Sequence, residues 1–225
     1  MRKRALIAGW LLCLASLMRA GEVVDRVIAT VNGRAVLESD LDDEVRYECF
    51  MSGRPLNEVS AADRKEAFDR LVDQELLSGQ MRTADFKPAG DDEVAAQMAG
   101  LKAQYPITHA EQSWGAALAS YGLTEATVRE HVAREISQLK LVDARLRPLI
   151  QVDPAEVETY YRQQFLPRVP AAQAMSLQEA TPKIRELLVQ EKINQALSSW
   201  LESLRAQAKI TILAPQTFDS EAGAP

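Results

Sequence analysis

Residues 27–41, VIATVNGRAVLESDL, predict a tight β-hairpin that leads into a helix. Asn32 and Gly33 are the residue types that a two-residue type I′ turn needs at its positive-φ positions. An isolated two-stranded hairpin is marginal in water, so a further strand or a helix must complete it. The other strand-like segment is KITIL at 209–213, near the opposite end of the chain. We therefore expect KITIL to pair with the hairpin and to join both chain ends in one module.

Between these strands the sequence reads as a series of helices. Ser39 is expected to cap a first helix to about Met51, and Ser60 with Asp63 resembles a capping box that opens a second helix to about residue 82. A third helix from Asp91 is expected to end at about residue 104, before Pro106. The remaining helices are expected from a cap at 108–111 to residue 120, from Thr124 to near Leu149, from Pro154 to about Phe165, and from Lys183 to Ala208.

The fifth helix has the clearest apolar face. Its apolar residues recur at steps of three and four, which is typical of a helix with one side in the core. This predicted core face comprises Val128, Val132, Ile136, Leu139, Val142, Leu146 and Leu149. The sequence as a whole therefore predicts a mainly α fold, a helical core with a small antiparallel sheet made of an N-terminal hairpin and a C-terminal strand.

Residues 1–20 have the features of a secretory signal peptide. Arg2, Lys3 and Arg4 form a positive start, residues 5–17 form an apolar run, and cleavage is expected near Gly21. A retained membrane anchor is the alternative, but the apolar run is shorter than the roughly 20 residues of a membrane span. We therefore predict export to the periplasm with no stable membrane insertion after cleavage.

The charge balance narrows the class of partner. The chain has 26 Lys and Arg against 32 Asp and Glu. The leader contains basic residues and no acidic ones, so its removal would make the net charge more negative. Nucleic acid binding needs a basic face, and an anionic membrane surface attracts basic segments. Both are therefore excluded as expected partners.

Three stretches resemble the SurA-like periplasmic chaperones. VIATVNGRAVLESDLDDEV is similar to the start of their mature chain, and IRELLVQEKINQALSSWLESLRAQAKITIL resembles the helix and strand that close the same domain. LTEATVREHVAREISQLKLVDARLRPLIQVDPAEVETYY is similar to the stretch that leads into their first isomerase domain. The resemblance implies a periplasmic, ATP-independent chaperone that binds unfolded outer-membrane proteins.

One departure from that family concerns the parvulin-type prolyl isomerase. Family members carry it between the VETYY helix and the closing helix, whereas here residues 164–176 fill that interval, far too few for a domain. His109 and His131 are the two histidines of the chain, and both are expected to be ordinary surface or cap residues. We therefore predict no enzyme activity and no cofactor or metal. Two alternatives stay open, an isomerase with a cryptic site and an adaptor that docks one folded partner.

These inferences divide the chain into five parts. Residues 1–20 are the signal peptide, 21–165 the SurA-like N-terminal chaperone domain, and 166–176 a linker in place of the isomerase. Residues 177–213 complete the chaperone core, and 214–225 form a disordered tail. Cys49 is expected to be a small buried hydrophobic residue. The oligomeric state and the identity of the clients are left open.

Apolar side chains away from the predicted core faces are the candidates for client binding. On the first helix Leu41, Val45 and Cys49 share the inward face, whereas three others point away from it. Packing against the helix of 61–82 or of 91–104 is the structural alternative for these three, and a client surface is the functional one. The predicted client-binding residues are Tyr47, Phe50, Met51, Trp114, Tyr121, Tyr160 and Tyr161.

Overall fold

The computed structural model describes residues 25–83, 86–108, 113–169 and 175–215. The predicted leader, His109, residues 170–174 of the linker and residues 216–225 of the tail lie outside these residues. In chain order the elements are β1 (Val27–Val31), β2 (Arg34–Leu37), α1 (Glu38–Ser52), α2 (Ala61–Thr83), α3 (Asp91–Thr108), α4 (Trp114–Ser120), α5 (Glu125–Leu146), α6 (Pro154–Tyr160), α7 (Leu177–Gln207) and β3 (Ile210–Ile212). A π-helical turn, Tyr161–Phe165, extends α6.

The predicted sheet is confirmed. Asn32 and Gly33 both have positive φ, 52° and 83°, so the two strands of the hairpin are joined by the expected turn. β1 lies in the middle of the order β2-β1-β3, and both pairings are antiparallel. Ile212 lies opposite Ala29, and Ile210 lies opposite Val31. The C-terminal strand thus supplies the third strand that the hairpin needs.

Three helix starts differ from the predictions. α1 is capped at Leu37 and not at Ser39, because the Asp40 carboxylate accepts the Leu37 N–H at 2.9 Å. α4 begins at Trp114, and its N-cap is Ser113, whose hydroxyl accepts the Ala116 N–H at 3.3 Å. α7 begins at Leu177, well before the predicted Lys183, because Ser176 and Glu179 form a capping box.

The end of α3 also differs from its prediction, since the helix continues through Pro106 to Thr108. A proline removes one backbone hydrogen bond from the turn that contains it. Here that turn is the last one of the helix, and the neighbouring Tyr105 is buried in the core. Packing of Tyr105 therefore outweighs the local penalty of the proline.

α1 lies between two apolar clusters. The first cluster joins the sheet to α1 and α2, and α1 contributes Leu41, Val45 and Cys49, which are buried as predicted. The second cluster joins the other side of α1 to α3, α4 and α5, and α1 contributes Tyr47 and Phe50. A helix covered on two sides buries more than a single stripe. This arrangement makes α1 the central element of the N-terminal half.

α7 packs along the second half of the chain and returns to the N-terminal half. It forms a third cluster with Val142 and Leu146 of α5, and a fourth with Val157 of α6. Near its end, Arg205 Nε lies 2.6 Å from Asp73 Oδ1 of α2, and Arg205 Nη2 donates to the Asp69 carbonyl at 2.7 Å. The last helix is therefore fixed to the second one before β3 enters the sheet.

The predicted core face of α5 is wrong at two positions. The side chain of Leu139 is 66% exposed, and that of Leu149, which lies beyond the end of α5, is 72% exposed. Leu139 shares its side of the helix with Val132 and Val142, since at about 100° per residue it lies about 20° from the first and about 60° from the second. Val132 belongs to the second cluster and Val142 to the third. Leu139 is exposed because it lies in the gap between the two clusters.

Candidate functional site

Four aromatic rings meet where α1, α3 and α4 come together. The Phe50 ring centroid lies 5.4 Å from that of Trp114, 5.7 Å from that of Tyr121 and 5.9 Å from that of Tyr105. Trp114 and Tyr121 approach Phe50 edge-on, an arrangement that aromatic quadrupoles favour. Trp114 and Tyr121 are half-buried, so the outer side of this group reaches the surface. The structure thus brings together Phe50, Trp114 and Tyr121 from the predicted set.

The three predicted residues of α1 have different environments. Tyr47 and Phe50 are buried in the second cluster, in line with the packing alternative, although that cluster involves α3, α4 and α5 and not α2. Met51 is 46% exposed at the next position along the helix. Met51 is therefore the member of the three that a bound polypeptide can reach without any rearrangement. Contact of the three residues with a client stays a prediction.

Tyr160 and Tyr161 lie apart from the aromatic group, at the end of α6. Both pack against the fourth cluster together with Phe165, whose ring stacks on Tyr161 with centroids 5.5 Å apart. The Tyr161 hydroxyl donates to the Met175 carbonyl at 2.7 Å. Tyr161 thus ties α6 to the segment that precedes α7, on the two sides of the short connection.

His131 is not the surface residue that the sequence predicts. It is buried, and its ring stacks on that of Tyr47 with centroids 4.1 Å apart and an angle of 8° between the planes. Its Nδ1 lies 3.7 Å from Glu44 Oε2, which is longer than a hydrogen bond. The position of His131 on α5 relative to Val128 and Val132 was the signal that favoured burial, since all three share one side of the helix.

Glu44 is a second buried polar residue that sequence reasoning did not single out. It lies in α1 beside Arg70 and Gln74 of α2, and its Oε1 accepts the Gln74 Nε2 hydrogen at 3.1 Å. Burial raises the pKa of Glu44 above its usual value, against the opposing effect of nearby hydrogen bonds and arginines. Burial lowers the pKa of His131 to about 4, and the charge of Arg134 acts in the same direction. The imidazole is therefore neutral at pH 7.

Similarity to known proteins supplies information that the geometry alone does not. The chain is 28% identical over 163 residues to Chaperone SurA of Yersinia pestis bv. Antiqua (strain Nepal516), and the match covers 71% of this chain. It is 32% identical over 154 residues to Chaperone SurA of Pseudomonas syringae pv. tomato, covering 68% of this chain. The match to Chaperone SurA of Chromohalobacter salexigens is 27% identical and covers 63%. The resemblance to SurA is confirmed.

The match extends over only a part of each of these relatives. The matches cover 37%, 35% and 32% of the three relatives, so the chain spans about a third of the length of the curated relatives it matches. No family model matches the chain. Within the described ranges, no helix combines the length and the apolar character of a membrane span.

Proposed function

We propose that this protein is a periplasmic, ATP-independent chaperone that binds unfolded outer-membrane proteins and has no prolyl isomerase activity. The observation that carries the proposal is its similarity to proteins named Chaperone SurA over about 70% of the chain. A leader with the features of a signal peptide supports the periplasmic location. The expected partners are unfolded exported polypeptides.

Exposed apolar side chains support client binding. Leu139 lies on the core side of α5 but in the gap between two clusters, and Met51 is exposed on α1 next in sequence to Phe50. Exposed apolar patches mark sites of interaction with other proteins. Such sites suit an extended polypeptide, because each contact buries a modest apolar area and many weak contacts add up. We therefore propose Met51, Leu139 and the outer sides of Trp114 and Tyr121 as client surface.

The absence of isomerase activity is proposed from the connection between α6 and α7. The π-helical turn after α6 ends at Phe165, and α7 starts at Leu177. The intervening residues are far fewer than a folded domain requires. We likewise propose that the chain consists of a signal peptide, a chaperone domain, a linker, a closing helix and strand, and a tail, with the boundaries predicted from the sequence.

Suppression of aggregation is the direct test. We would dilute a urea-unfolded outer-membrane β-barrel protein into buffer with or without this protein and follow light scattering. The wild-type protein is expected to suppress scattering without ATP. Leu139→Ser and Met51→Ser are expected to weaken suppression at least twofold. Leu187→Ser on α7 is the control, since Leu187 is 45% exposed and Met51 is 46% exposed. Unaltered scattering with the wild-type protein would contradict the proposal.

Two further measurements separate the alternatives. A peptide that changes signal when its proline isomerises would report an isomerase, and the expected rate with this protein equals the uncatalysed rate. Crosslinking in living cells would report an adaptor, for which one folded partner would be captured in a saturable manner. Capture of several unfolded outer-membrane proteins is the result expected for a chaperone.

A further inference from the structure

A cavity of about 270 Å³ lies where β2, α1, α2 and α5 meet. Its volume is just below the range of sites for drug-sized ligands, so it suits a group of side-chain size. Ala35 and Val36 of the hairpin and Leu71 of α2 give it an apolar part. Polar side chains from all three helices complete the wall. None of the seven residues predicted for client binding lines this cavity.

The polar wall is rich in carboxylates. Asp40 and Asp43 come from α1, Glu75 from α2 and Glu130 from α5. Asp43 pairs with Arg46 at 3.1 Å, and Glu75 pairs with Arg34 at 2.9 Å and with Arg82 at 2.8 Å. Asp40 and Glu130 have no ion pair with another residue of the described ranges. These two carboxylates leave a negative charge that is not balanced locally.

Arg134 is the one guanidinium in the wall, and it is already engaged. Its Nη1 donates to Gln74 Oε1 at 3.2 Å, and its charge acts on the carboxylates of Glu44 and Glu135. Arg134 therefore interacts with Gln74 and with two carboxylates that do not line the cavity, and it forms no ion pair with Asp40 or Glu130.

His131 gives independent support for a ligand. It lines the cavity, its side chain is 7% exposed, and no described residue hydrogen-bonds to it. A polar side chain that is this largely buried normally has a hydrogen-bond partner. Because His131 lines the cavity, a ligand in the cavity can reach the ring. A neutral imidazole has one nitrogen that accepts a hydrogen bond and one that donates. The accepting nitrogen of the His131 ring can therefore take a hydrogen bond from a donor group of a ligand in the cavity.

We propose that this cavity binds a primary ammonium group on an alkyl stem. The ammonium is compact and has three donors, which match the imidazole and the carboxylates of Asp40 and Glu130. The stem would contact Val36 and Leu71. A lysine side chain of a bound polypeptide and a free diamine share this chemistry. The proposal does not depend on the chaperone function.

Nuclear magnetic resonance of the imidazole tests this proposal. The chain has 2 histidines, so His109→Gln leaves His131 as the one imidazole. In this background we would titrate butylammonium at pH 7.5 and low salt, and follow the His131 ring nitrogens in long-range ¹H–¹⁵N spectra. Butanol and butyrate have the same stem without the positive charge and are the control probes. A saturable shift with butylammonium that neither control reproduces is the expected result.

Variants at the rim test the role of charge. Asp40→Asn combined with Glu130→Gln removes both negative charges, and the amide oxygen of the new side chain at position 40 can still accept the Leu37 N–H at the start of α1. The double variant is expected to weaken butylammonium binding at least fivefold with unchanged circular dichroism. Two further probes would then identify the natural source of the ammonium group. Tighter binding of an acetylated lysine amide would indicate a lysine side chain of a polypeptide, and tighter binding of 1,5-diaminopentane would indicate a free diamine. Equal shifts with butanol, no saturable shift, or unchanged affinity of the double variant would each overturn the proposal.

Discussion

Asn32 and Lys209 exchange two hydrogen bonds across the ends of the chain. Asn32 N donates to the Lys209 carbonyl at 2.9 Å, and Lys209 N donates to Asn32 Oδ1 at 2.9 Å. Asn32 is also the first residue of the hairpin turn, with a φ of 52°. One residue thus forms the turn of β1 and β2 and fixes the start of β3.

Substitutions of Asn32 separate these two roles. Glycine accepts positive φ but cannot accept the Lys209 N–H, so Asn32→Gly is expected to lower the free energy of unfolding by about 1 kcal/mol. Asn32→Asp keeps both the acceptor and the tolerance of positive φ, and is the matched control with a smaller effect. Urea unfolding followed by circular dichroism measures both. Equal stability of Asn32→Gly and the wild-type protein would show that the Lys209 hydrogen bond contributes little.

Deletion of the last strand tests the union of the chain ends. Removal of residues 209–225 takes away β3 and the buried Ala214, so the hairpin loses its third strand. Amide exchange within residues 28–36 is expected to accelerate strongly, most of all at Asn32. Removal of residues 216–225 is the control and is expected to leave these amides unchanged. If the longer deletion left the exchange of residues 28–36 at the wild-type rate, the sheet would not depend on β3.

The burial of His131 predicts a loss of stability in mild acid. Its pKa is about 4 in the folded protein and 6.5 when unperturbed. Above pH 6.5 the imidazole is neutral in both states and its full contribution to stability is present. As the pH falls from 6.5 to 4, the unfolded chain binds a proton that the folded one excludes, so up to about 3 kcal/mol is lost. Urea midpoints at several pH values measure this loss.

Glu44 changes stability with pH in the direction opposite to His131. Comparison with a variant that lacks the imidazole therefore isolates the contribution of His131. Because the pKa of Glu44 is raised, its contribution is present at low pH and is lost as the pH rises through the raised value. His131→Phe keeps a ring to stack on Tyr47 and removes the titration. This variant is expected to lose less stability than the wild-type protein between pH 6.5 and 4. An identical pH dependence of the two proteins would exclude His131 as the cause.

Phe50 and Met51 are neighbours whose replacement should have different effects. Phe50 is 6% exposed and contacts three aromatic rings, so Phe50→Ala is expected to cost about 3 kcal/mol or more. Met51 is 46% exposed, so Met51→Ser is expected to change stability by less than about 1 kcal/mol. Thermal unfolding of the two single variants makes the comparison. A large loss of stability for Met51→Ser would place that side chain in the core.

The sequence carries enough information for the sheet and for most helices. Asn32 and Gly33 select one turn type, so local chemistry fixed the hairpin. The pairing of β3 was predictable for another reason, since the segment at 209–213 was the remaining strand-like stretch of the sequence. Ser60 and Asp63 likewise form the predicted capping box, with the Ser60 N–H donating to Asp63 Oδ2 at 2.8 Å. Such features depend on residues within a few positions of each other.

Features that depend on several helices together were harder to predict. The apolar stripe of α5 shows that Leu139 shares a side with core residues, but periodicity does not reveal that the covering elements change at that point. The burial of Tyr47 and His131 requires a second cluster on the far side of α1. The apolar residues on that side of α1 fit either packing against another helix or a client surface, and the pattern within α1 does not decide between the two. The cavity beside His131 likewise combines residues from four elements that are far apart in sequence.

The contact between Arg205 and the carboxylate of Asp73 has a consequence for the timing of folding. These residues are 132 positions apart, and the strand that follows Arg205 is needed by the first hairpin. A chain that emerges N-terminus first, from a ribosome or from a translocation pore, therefore has no stable sheet until nearly its whole length is available. Contacts of such sequence separation slow folding, because a long loop must close before they form. The hairpin therefore stays without its third strand until the end of the chain has arrived.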